Sequence, residues 1–69
     1  MEREKVTVII FCYNQEDFIA KAIKSVTEQT YSNLEILISD NGSKDNSKRI
    51  ISEFAALDSR IKFFDYEEN

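Results

Sequence analysis

Two short polar clusters carry the residue types that could contact a ligand: Cys12-Tyr13-Asn14 and Asp40-Asn41-Gly42-Ser43. Each closes an apolar run. Tyr13 offers an aromatic face on which a base could stack, while Asp40 and Asn41 supply acceptors and a donor for a polar edge. Gly42, the only glycine in the chain, lets the backbone turn sharply or come close to a ligand. Taken one at a time, Asp40 also fits a turn-former or cap, and Tyr13 a half-buried strand residue. Cys12 would be a nucleophile only beside a base; with no His in the chain to activate it, it reads as a packed thiol.

Other chemistries are excluded by what is missing. There is no GxGxxG after the first apolar run and no GxxxxGK[ST] anywhere, so the phosphate cradles of dehydrogenases and P-loop enzymes are absent. A receiver-type signalling domain wants acidic residues just after its first strand, where this chain has Phe11 and Cys12. One Cys and no His allow neither an internal disulfide nor a zinc site. Asn41-Gly42-Ser43 matches a glycosylation sequon, but with no secretory signal ahead of it the match reads as accidental.

The elements that must position these clusters follow from hydrophobic period. Val6 to Tyr13 is apolar and β-branched, the pattern of a strand buried on both faces. Residues 15–29 carry a helical stripe of Phe18, Ile19, Ala22, Ile23 and Val26, with Asn14 as N-cap and Asp17 completing a weak capping box. Leu34 to Asp40 predicts a second strand. Asn41 to Asn46 is a polar turn; although Asn-Gly is a hairpin signal, no partner strand follows it. A second helix is expected from about Asn46 to Leu57, capped by Asp45 and burying Ile50, Ile51, Phe54 and Leu57. Ile61 to Tyr66 completes a βαβαβ unit with parallel strands and right-handed crossovers. In such a sheet ligands bind at the carboxyl ends of the strands, where both clusters lie.

Composition sets the class. At 69 residues the chain is one small domain, spanning 1–69, and its 42% hydrophobic and 32% charged residues are those of a folded protein. A net charge of −4, with basic residues scattered among acidic ones, argues against nucleic acid as a partner. The only long apolar run is too short to span a membrane. The chain reads as cytosolic, and its lone Cys suits a reducing compartment.

The residues also carry a resemblance. Val6 to Asn14 (VTVIIFCYN) looks like the VSVIIPTYN opening of family 2 glycosyltransferases. Ala22-Ile23-Lys24-Ser25-Val26 with Gln29-Thr30-Tyr31 is similar to that family's AIxSVLxQTY, and Glu35 to Asp45 (EILISDNGSKD) to its EIIIVDDGSTD. Arg60-Ile61 resembles the usual opening of the third strand. The motifs run in order over almost the whole chain, from Val6 to Asn69.

The resemblance implies a GT-A fold, whose Rossmann-like first half is this unit, and an inverting enzyme that moves a sugar from a UDP- or dTDP-sugar to a hydroxyl acceptor, in polysaccharide or glycoconjugate synthesis. It implies that Tyr13 stacks on the base and that Asp40 lines the nucleoside site; Cys12, Asn14, Gly42 and Ser43 join them as candidates by their place in the two strand-end clusters. Asn41 stands where many members have a second Asp; an Asn both donates and accepts, which opens donors other than UDP. Phe11 and Cys12 replace the usual Pro and Thr or Ser, the second removing a hydroxyl from the site.

The family's divalent metal, Mg or Mn, is held by a later D-x-D motif, and a further carboxylate deprotonates the acceptor. Both are expected beyond Asn69, so no catalytic or metal-binding residue is assigned here; Asp65-Tyr66-Glu67 spaces two carboxylates similarly but comes too early. The implied partners are the nucleotide-sugar and a sugar or lipid-linked acceptor, with the parent enzyme at the inner face of a membrane. A non-catalytic binding or assembly module is the alternative. The implied strand order, 3-2-1, puts both helices on one face of a sheet that is apolar on both, with Ile9, Phe11 and Leu37 on one side and Val8, Ile10, Ile36 and Ile38 on the other. One face and the edge of the first strand then stay bare, so the chain is expected to form a homo-oligomer.

Overall fold

The computed structural model describes residues 4–29 and 33–66. The elements are β1 (Val6–Cys12), α1 (Ile19–Thr27), β2 (Leu34–Asp40), α2 (Ser47–Leu57) and β3 (Ile61–Asp65). All three strands are parallel and lie in the order β1-β2-β3, which is the 3-2-1 arrangement expected.

Strand register explains the core. Val8, Ile36 and Ile61 form one row across the sheet, Ile10, Ile38 and Phe63 the next, and Cys12, Asp40 and Asp65 the last. Side chains alternate between faces along a strand, so these rows share the face covered by the helices. There Ile36 and Ile38 pack with Ile19 and Ile23 of α1 and Ile51 of α2. The crossovers therefore place both helices on one side.

The opposite face carries no helix among the described residues. Ile9 is 57% exposed and Phe11 75%, and Phe64, across Ser39 of β2 from Phe11, is exposed on the same face. β1 is thus not buried on both faces as its unbroken apolar run suggested. An apolar run reports what a face could bury; the partner must come from elsewhere in the assembly.

Helix boundaries also differ from the periodic reading. α1 begins at Ile19, and Asn14 does not cap it: Asn14 has a left-handed φ of 52°, and Phe18, with no side-chain cap bond, is the N-cap. The Gln15 carbonyl accepts from both Phe18 N and Ile19 N, making a turn ahead of the helix. Phe18 and Ala22 are consequently exposed, while Ile19 and Ile23 bury. At α2 the N-cap is Asn46, not Asp45, yet the Asp45 carboxylate still accepts from Ser47 N at 2.9 Å. Leu57, expected to be buried, is 87% exposed at the last residue of α2.

Behind α2, Asp58 and Arg60 fix the entry to β3. Arg60 donates Nε and one terminal nitrogen to the two Asp58 oxygens at 3.0 and 2.8 Å, and also reaches the Thr27 carbonyl at 3.0 Å. The paired guanidinium holds the Asp58 carboxyl below its ordinary pKa.

Candidate functional site

Both predicted clusters lie at the carboxyl ends of adjacent strands, β1 and β2. The Asn41 amide donates to the Cys12 carbonyl at 3.1 Å, carrying the sheet contact one residue past β2. Beyond it the chain bends away: Gly42 has φ of 89°, a conformation open to glycine and costly for residues with a Cβ. The Ser43 amide then turns back to the Asp40 Oδ1, 2.8 Å away.

Side chains and amides tie the two loops together. Asn14 donates its backbone N–H to Ser43 Oγ, and its side-chain Oδ1 accepts from Lys44 N, both at 2.7 Å. Gln15 N donates to Ser47 Oγ at 2.9 Å. Glu16 N donates to Asp45 Oδ2 at 3.1 Å, and Asn46 N answers to Glu16 Oε1 at 2.8 Å. These amides precede helices and would otherwise lack acceptors. Partial burial pushes the Asp45 carboxyl up, but the bonds from Ser47 and Glu16 outweigh it and hold its pKa below the ordinary value.

The predicted residues separate into two layers. Tyr13, Asn14 and Asn41 are exposed and form the rim. Cys12, Gly42 and Ser43 are buried beneath it, and Cys12 is packed into the core as its lack of a base required. Asp40 belongs to the lower layer. It is 0% exposed, it is the last residue of β2 and not a loop residue, and its Oδ2 has no hydrogen-bond partner. An unpaired buried carboxylate oxygen is costly and asks for a donor.

Sequence reading missed Gln15, Glu16 and Ser47 in this network. Gln15 and Glu16 fell inside the apolar period assigned to α1, and a lone Ser at a helix start carries no pattern; Asn14, Ser43 and Asp45 were visible, the first two as site candidates and the last as a cap.

Among the described residues no three His, Cys, Asp or Glu side chains converge on a point, so they do not build a metal centre. Asp65 is held by Lys48 at 3.1 Å, and Glu67, the other carboxylate of that spacing, lies outside the described residues. An apolar groove of about 370 Å³, lined by Val6, Val8, Val26 and Leu34 among others, sits at the amino-terminal end of the sheet. It has no charged lining residue, so the polar chemistry of a nucleoside favours the strand ends instead. No helix among the described residues is long and apolar enough to cross a membrane.

Comparison with known proteins shows the family and the fold. The model for glycosyl transferase family 2 matches residues 7–69. The chain is 41% identical to the glycosyltransferase GlyA of Streptococcus pneumoniae, over 93% of this chain and 9% of that protein. It is 42% identical to the UDP-Glc:alpha-D-GlcNAc-diphosphoundecaprenol beta-1,3-glucosyltransferase WfgD of Escherichia coli, over 97% of this chain and 26% of that one. Among solved structures, a mannosyltransferase from Pyrobaculum calidifontis, in complex with GDP-Man and Mn2+, superposes on the whole chain with a TM-score of 0.84 at 25% identity. The superposition uses 21% of that enzyme. The chain thus spans a quarter or less of the length of most such proteins.

Proposed function

Because this chain belongs to glycosyl transferase family 2, we propose that it supplies the nucleotide-binding part of an inverting glycosyltransferase with a UDP- or dTDP-sugar donor. The observation that carries this reading is the layered pair of loops: an exposed aromatic ring and amide above a buried carboxylate with an unused oxygen. Tyr13 stacks on the base, Asn41 meets its polar edge, and Asp40 accepts from a nucleoside N–H or O–H. The E. coli relative is named for a UDP-Glc donor and a lipid-diphosphate-linked acceptor. By that likeness the acceptor here is a lipid-linked glycan, elongated at the cytoplasmic face of a membrane toward a polysaccharide or glycoconjugate.

A divalent metal, Mg or Mn, would neutralise charge on the departing diphosphate. Its ligands and the base that activates the acceptor hydroxyl are provided by residues other than those described. This chain's own residues bind and orient the nucleoside.

Titrating the 15N-labelled chain with UDP, and separately with dTDP, tests the site. Weak binding is expected, with chemical-shift changes centred on Tyr13, Asp40 and Asn41. Changes confined to the amino-terminal edge, around Val6 and Leu34, would overturn the assignment and favour a non-catalytic assembly module.

We also propose that copies of this chain associate through the helix-free face. Ile9, Phe11, Phe64 and Tyr66 are all exposed, and Phe64 and Tyr66 stack on each other with centroids 6.3 Å apart. Together they present on the order of 400–500 Å² of largely apolar surface, the size of a monomer's largest bare patch, which is often functional. Glu35 and Lys62 lie on the same face with opposite charges, as a self-complementary two-fold contact requires. The area is small for a stable dimer, so a reversible one is expected. Sedimentation equilibrium should show dimer at tens of micromolar, on the order expected for so small a contact, and Phe11→Lys should abolish it; a strictly monomeric wild type refutes the contact.

A further inference from the structure

We propose that Asn14 is a positioning residue, a clasp that fixes the Tyr13 loop against the Asp40–Ser43 loop so that both can reach one nucleoside. The proposal rests on the nucleotide-binding reading above and adds the device that sets its geometry. Asn14 is the one non-glycine residue with positive φ among those described, at 52°. Side chains with a Cβ avoid this region, and Asn tolerates it best.

The conformation has a visible consequence. It aims the Asn14 N–H at Ser43 Oγ, while the side-chain oxygen of the same residue receives the Lys44 N–H, each at 2.7 Å. Ser43 in turn donates its own N–H to Asp40 Oδ1 at 2.8 Å. A continuous path of hydrogen bonds therefore runs from the residue beside Tyr13 to the buried carboxylate. The other cross-loop bonds, at Gln15 and Glu16, lie farther along and grip the start of α2 at Ser47, Asp45 and Asn46. Within the ligand site the backbone bond from Asn41 N–H to the Cys12 carbonyl extends the sheet contact, and Asn14 adds the clasp that reaches Ser43 and Lys44. Its carboxamide, assigned from sequence to the ligand, is thus engaged by the protein.

Three substitutions separate the backbone from the side chain. Asn14→Gly keeps access to positive φ and deletes the acceptor for Lys44 N–H. Asn14→Asp keeps both. Asn14→Ala loses both. Hydrogen exchange at the Lys44 amide and thermal melts are read on all three without ligand; UDP affinity is read on wild type and Asn14→Gly. Asn14→Gly is expected to expose the Lys44 amide to exchange and to weaken UDP by about five- to tenfold, the worth of one hydrogen bond. Its melt should stay near that of Asn14→Asp, in which Lys44 protection returns. Unchanged Lys44 exchange in Asn14→Gly, or unchanged UDP affinity, overturns the proposal, as does failure of Asn14→Asp to restore protection. If wild type binds no nucleotide, the ligand reading falls, and the exchange data decide the clasp by themselves.

Discussion

Ile38→Ala is expected to unfold much of this chain at room temperature, whereas Leu37→Ala, one residue away, leaves it folded. Ile38 is 0% exposed in the middle of β2, flanked in register by Ile10 and Phe63 and roofed by both helices. Truncating a buried Ile to Ala costs about 2–5 kcal/mol. A domain of this length has a total stability of roughly 3–10 kcal/mol, scaled per residue. The lesion is therefore comparable with the whole. Leu37 points to the helix-free face and is only half-buried, so its truncation removes less area from water and costs about 1 kcal/mol. Urea titrations followed by circular dichroism decide the matter. Equal loss in the two variants would mean that the sheet is covered on both sides and that the bare face described above does not exist.

That contrast shows where sequence and structure part. β2 was legible to the residue, because LEILISD is bounded by polar residues and its neighbours on both sides cover it. The parallel order was legible too, since strands joined through helices leave few alternatives. Burial of β1 was not, because an apolar strand looks the same whether its second face is covered or bare. The start of α1 was hidden for a related reason. Phe18 falls on the apolar period, yet the left-handed Asn14 and the turn after it delay the helix to Ile19. Of the candidate site, the position of both clusters at the carboxyl ends of adjacent strands was readable. Their layering was legible only in part: alternation from Ile36 and Ile38 puts Asp40 on the helix-covered face, but it does not say that the Gly42–Ser43 turn folds back over it.

The layering leads to the second large effect, which concerns Asp40. It closes β2, is fully buried, and holds Ser43 N through Oδ1 while Oδ2 stays unpaired. Asp40→Asn keeps an acceptor for Ser43 N–H and replaces a buried carboxylate by a neutral amide. Leaving a buried charged group short of a partner costs at least about 1–3 kcal/mol, so this variant should melt at or above the wild-type temperature. Asp40→Ala, which also forfeits the Ser43 bond, should melt lower but still fold. Ligand affinity should move the other way. If Oδ2 accepts a nucleoside N–H or O–H, losing that charged acceptor weakens UDP by about 10- to 100-fold. Because Asp40 has no exposed surface, the nucleoside must displace part of the loop to reach it, and the unsatisfied oxygen favours that exchange. Calorimetric titration of UDP into Asp40→Asn, paired with its melt, separates the possibilities. Retained affinity would show that Asp40 serves only to hold Ser43; lost affinity in a variant as stable as wild type places its free oxygen on the ligand.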